Sequence, residues 1–280
     1  MSMKFEQWNG FKTGMWAEMV DVDDFIRLNY RPYEGDESFL AGPTERTKIV
    51  SERVKELIAE EAAAGGVLKV DATKIMTATA YGPGYIDKER DIIVGLQTDE
   101  PLKRGVCPFG GIKMARTSAK AYGTELSDEI ENIFKYVTTH NDGVFSVYTD
   151  EMKAVRHAGF ITGLPDAYGR GRIIGDYRRA ALYGIDMLIE EKRKDHTMFG
   201  TQPMTEDNIR LMEEIHKQIV ELGELKKMAE MYGIDISQPA HDTKEAIQWL
   251  YFAYLGAIKE ENGAAMSIGR TSSFIDIYAE

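Results

Sequence analysis

The chain has one cysteine, five histidines and an excess of acidic over basic side chains among its 280 residues. The lone Cys107 excludes an intrachain disulfide, and together with fourteen methionines it fits a reducing compartment. The histidines are scattered and supply no zinc-ligand spacing, so no metal site is expected. No stretch approaches the ~20 apolar residues of a membrane span. Met1 to Gly10 carries Lys4, Glu6 and Trp8 rather than the apolar core and small-residue cleavage site of a secretion signal. A cytoplasmic location is therefore expected. With 34 basic and 46 acidic residues the net charge is -12, and such a field repels nucleic acid and anionic membranes.

What is present suits a folded globular protein, with 43% apolar and 29% charged residues. The spacing of apolar residues predicts a helix over Asp21 to Asn29. A longer one follows Pro43 and the capping Thr44, through Ile49, Val50, Val54, Leu57 and Ile58, until Gly65 and Gly66. Val67 to Asp71 and Ile92 to Val94 read as short strands. Gly95 to Gly111 is rich in turn residues and reads as irregular. Ser127 and Thr149 introduce further short helices, the second closed by Gly159. The second half is strongly helical over Tyr177 to Lys194, Thr205 to Tyr232 and Thr243 to Glu260, and Thr271 to Glu280 keeps helical spacing. No internal period is visible, so the expectation is a predominantly α-helical single domain with a few short strands.

The most unusual segment is Gly163 to Arg179, GLPDAYGRGRIIGDYRR, with four arginines among four glycines. Glycine lets a backbone approach a ligand, and arginine's rigid fork of donors matches a carboxylate or phosphate, so the segment suits a small anion. The alternative is that Asp166, Asp176 and nearby acids pair with these arginines as scaffold. Gly169, Gly171 and Gly175 are spaced one residue too widely for a dinucleotide fingerprint. Ala265 to Gly269 approaches a serine-hydrolase elbow, yet no histidine follows Ser267. Glu213 and His216 form one E-x-x-H where a di-iron bundle needs two. Cys107 has no adjacent histidine or lysine to activate it and reads as a structural thiol.

Several segments together resemble the pyruvate formate-lyase (formate acetyltransferase) family of glycyl-radical enzymes. They are YEGDESFLAG at Tyr33 to Gly42, IVGLQTDEPLKR at Ile93 to Arg104, PFGGIKM at Pro108 to Met114 and the arginine-glycine segment itself. EAIQWLYFAYL at Glu245 to Leu255 and NGAAMSIGRTSSF at Asn262 to Phe274 extend the resemblance over nearly the whole chain. It implies the N-terminal portion of a ten-stranded α/β barrel, with the chain, residues 1–280, truncated at its C-terminal end. It also implies conversion of pyruvate and coenzyme A to acetyl-CoA and formate by a glycyl/thiyl radical mechanism. The radical glycine and the adjacent cysteine pair of that chemistry have no counterpart here, so no catalytic residue is assigned and the chain alone is expected to be inactive.

The resemblance assigns Arg172 to the pyruvate carboxylate and Ala264 to packing against the bound pyruvate. It assigns Phe145 to stacking on the adenine of coenzyme A, with Arg156 and His157 for phosphate or ribose contacts. Asp150 and His157 depart from the proline and lysine of that pattern. No metal or organic prosthetic group is implied. The complete enzyme is expected to be a homodimer served by a radical-SAM activating enzyme. Alternatives are a non-catalytic binding or regulatory protein derived from the family, a subunit of a split enzyme, and a 2-ketobutyrate formate-lyase.

Overall fold

The computed structural model describes residues 22–29, 32, 34–107, 111–134, 147–161, 173–260 and 266–278. Among these the helices are α1 (Val22–Asn29), α2 (Glu45–Ala63), α3 (Gly111–Ala121), α4 (Asp128–Phe134), α5 (Asp150–His157), α6 (Arg178–Tyr183), α7 (Ile185–Gly200), α8 (Glu206–Met231), α9 (Thr243–Glu260) and α10 (Thr271–Ile275). The strands form two separate parallel pairs, β1 (Val70–Ile75) with β2 (Arg104–Val106) and β3 (Ile173–Ile174) with β4 (Met266–Ser267). The predicted mostly helical class with few strands is what the structure has.

Local chemistry explains the helix starts. Thr44, Thr149 and Thr205 are extended N-caps whose side chains accept the backbone N–H of Thr47, Met152 and Asn208, satisfying donors that the first turn leaves orphaned. The main core gathers α6, the C-terminal part of α8, and α9, with Phe252, Phe274, Met228 and Leu182 each no more than 1% exposed. Removal of such side chains from water contributes about 1.5–3 kcal/mol each. A second, smaller cluster of Ala72, Val106 and Ile130 lies beneath β1 and β2.

Three local expectations change. The continuous helix predicted over Tyr177 to Lys194 is two helices, because Gly184 at φ 71 and ψ 159 turns the chain in a conformation open in practice only to glycine. A Cβ there would sit 2.4 Å from the Ser237 carbonyl oxygen and from the Gln238 carbonyl carbon. Ile92 to Val94 is not a strand. Both main-chain groups of Val94 bond the buried Gln248 side chain at 2.8 Å, so an amide on α9 takes the place of a neighbouring strand. The first strand runs over Val70 to Ile75 instead of Val67 to Asp71, and its partner lies inside the stretch read as irregular.

Tyrosines at the end of α8 and on α9 hold the start of that stretch and part of the loop before it. The Tyr232 hydroxyl accepts the N–H groups of Gly84 and Leu96 at 2.9 and 3.3 Å, and the Tyr251 hydroxyl donates to the Gly95 carbonyl at 2.9 Å. Loop backbone polar groups are thereby paired at the surface of α8 and α9.

Candidate functional site

The arginine-glycine segment leads into β3, a turn and α6. Asp176 in that turn accepts from Arg178 Nε at 2.7 Å and Arg179 Nε at 3.1 Å. The scaffold reading is therefore right for two of the four arginines. Arg172, like Ala264 and Phe145, lies outside the described residues.

The flanks of two of these candidates are described. In the parallel ladder Ile173 is the partner of Met266, and Ile174 of Ser267. The arginine-glycine segment and the NGAAMS segment, about ninety positions apart in the sequence, are thus joined side by side. No strand was predicted at either place, because two-residue strands leave no alternation to read.

Immediately beyond β3 a cavity of about 630 Å³ opens between α6, α7, α8 and α9. Its walls are mostly apolar, including Ile185, Leu188, Leu222 and Ala257, and Glu221 and Glu260 also line it. Burial, reinforced by the Glu221 charge, pushes the Glu260 carboxyl well above the ordinary carboxylate range. Glu260 also accepts the Ala78 N–H at 3.3 Å, and its neighbour Lys259, 1% exposed, donates to the Ala78 carbonyl at 3.1 Å. Burial lowers the Lys259 ammonium to about 8. Sequence reading missed this pair, since a Lys-Glu dipeptide at a helix end looks like solvated surface.

Arg156 and His157 occupy the last turn of α5, where cations oppose the negative end of the helix dipole. Val147 and Phe160 flank this helix at 75% and 85% exposure, so the surface carries apolar and cationic groups together. Cys107 is partly buried and burial raises its pKa, the opposite of what a nucleophilic thiolate needs. Among the described residues no group of three or more His, Cys, Asp and Glu side chains could hold a metal ion, and no helix is long and apolar enough to cross a membrane.

Comparison with known proteins adds what this geometry cannot. The Pyruvate formate lyase-like family profile matches residues 15–280. The chain belongs to the pyruvate formate lyase-like family. It is 55% identical over 281 aligned positions to the formate acetyltransferase of Haemophilus influenzae, covering 98% of this chain and 36% of that protein. This family member thus spans little more than a third of that relative's length. Among solved structures, the glycerol-bound B12-independent glycerol dehydratase of Clostridium butyricum superposes with a TM-score of 0.58 at 18% identity, over 87% of this chain and 37% of that one. The likeness shows a shared fold with part of that enzyme.

Proposed function

We propose that the chain is the N-terminal, substrate-binding part of a cytoplasmic formate acetyltransferase that converts pyruvate and coenzyme A to acetyl-CoA and formate. Its 55% identity to a formate acetyltransferase over 98% of its length supports this reading. The observation that carries the site assignment is the β3–β4 ladder. Arg172 immediately precedes Ile173, and Ala264 stands two positions before Met266. Because the pairing is parallel, the chain runs through β3 and β4 in the same direction.

In this reading Arg172 holds the pyruvate carboxylate through two parallel N–H···O bonds, which fix its orientation as well as its charge. Ala264 offers a small surface against the bound molecule. The pairing of Arg178 and Arg179 with Asp176 favours an upstream arginine as the clamp. The exposed end of α5, with Arg156 and His157 and with Phe145 upstream, receives the nucleotide part of coenzyme A. Radical and thiol chemistry belongs to residues outside these 280, consistent with a single cysteine whose pKa is raised. The chain's own part is binding and orientation, and it performs no turnover by itself.

Calorimetric titration of the 280-residue chain with pyruvate and with coenzyme A tests this. Wild type binds both. Arg172→Lys weakens pyruvate at least about tenfold, because a point charge cannot replace the fork, and leaves coenzyme A unchanged. Equal pyruvate affinity in the two proteins would refute the clamp. Binding of coenzyme A alone would favour a non-catalytic binding protein of the family.

A further inference from the structure

The end of α9 is tied to a distant loop in an unusual way. Consecutive residues take both main-chain groups of Ala78: Lys259 donates to its carbonyl at 3.1 Å and Glu260 accepts its N–H at 3.3 Å. The next loop residue is held as well, since Thr79 Oγ1 donates to Glu224 of α8 at 2.7 Å. Ala78 is 3% exposed and Lys259 1%, so the bond between them is formed away from water. An apolar residue would fill the place of Lys259 without desolvating an ammonium. What the lysine adds is direction, since an ammonium donor and a neighbouring carboxylate acceptor fix the helix end against one residue of the loop.

The position of that helix end constrains the segment between α9 and β4. Five residues, 261–265, separate Glu260 from Met266, whose ladder partner is Ile173. Glu260 is thus held by the grip on Ala78, and Met266, the next described residue, by β3. We propose that Lys259 and Glu260 are positioning residues, gripping Ala78 so that β4 is delivered in register to β3, the strand that begins just after Arg172 in the sequence. The significance of that register for pyruvate rests on the function proposed above; the grip itself does not. The groups facing the pair are Glu221 and Glu224 on α8, with Lys227 bonded to Glu224. Around the cavity Asp176, Arg179, Glu191, Lys192 and Asp195 complete the charged lining.

Hydrogen exchange by mass spectrometry on the 280-residue chain, paired with pyruvate titration, tests the inference. In Lys259→Met and Glu260→Ala, peptides covering 261–268 should exchange about tenfold faster or more, while peptides from the middle of α8 keep their protection. Pyruvate affinity should fall about tenfold in both variants. Glu260→Gln should restore both readouts, because its amide oxygen still accepts the Ala78 N–H. Unchanged exchange at 261–268, or equal acceleration in α8, would overturn the proposal, as would a Glu260→Gln protein that behaves like Glu260→Ala. If wild type binds no pyruvate, the substrate reading fails and the exchange comparison still decides the grip.

Discussion

Replacing Lys259 by methionine should change how stability depends on pH far more than stability at neutral pH. Lys259 is 1% exposed, and burial lowers its ammonium from the ordinary 10.5 to about 8. Between those values the unfolded chain holds the proton more firmly than the folded one, so stability rises with pH across this window. At 1.36 kcal/mol per pH unit, the gap corresponds to about 3 kcal/mol, fully present as a penalty below pH ~8 and relieved by pH ~10.5. Methionine matches the lysine side chain as far as Cε and removes the penalty. It also leaves the Ala78 carbonyl without its donor, which costs about 1–3 kcal/mol. The two effects nearly cancel at pH ~7. Urea unfolding of both proteins from pH ~7 to ~10.5 provides the assay, read as the difference between their unfolding free energies. Glu260 and the other titrating groups are common to both proteins and largely cancel in that difference. Wild type should gain about 3 kcal/mol on the variant as pH rises. A difference that stays flat, or changes in the other direction, would refute a desolvated ammonium at this position.

Gln248→Leu should destabilise the protein by about 2–5 kcal/mol, since it strips both main-chain groups of Val94 of their partner at a site 2% exposed. A loss below ~1 kcal/mol in thermal unfolding would mean that the loop is held elsewhere. Gly184→Ala should cost about 3 kcal/mol or more, because φ 71 is strained for a side-chain-bearing residue and the added Cβ meets backbone at 2.4 Å. Denaturant midpoints measure this, and near-neutral behaviour would contradict the tight turn between α6 and α7. Thr205→Ala should cost about 1 kcal/mol through loss of the cap on Asn208, with frayed exchange confined to the first turn of α8.

This family member spans 36% of a relative's length and has a hydrophobic core of its own. The clustering around α6, α8 and α9 gives this piece an interior, with α9 at its centre. The cavity beside it retains an apolar lining and a partly buried carboxyl that is costly to ionise. At the end of α9 burial shifts two neighbouring ionisable groups in opposite directions, the Lys259 ammonium down and the Glu260 carboxyl up.

The sequence by itself determined the parts that depend on neighbours a few positions apart. Threonine caps, apolar residues three and four apart and terminal glycines made α2, α5, α8 and α9 legible, because capping and helical amphipathicity are local properties. Side-chain chemistry suggested a small-anion site in the arginine-glycine segment, and the quoted segments carried the family resemblance. Tertiary structure alone decided which arginines are scaffold, since only the fold shows Asp176 engaging Arg178 and Arg179. It also decided that residues near 173 and 266 are neighbours, that Gln248 stands in for a strand, and that Lys259 and Glu260 both bond Ala78. Each of these pairs groups far apart in the chain or sets the burial of a charged side chain. Neither distance across the fold nor loss of water is written in local spacing.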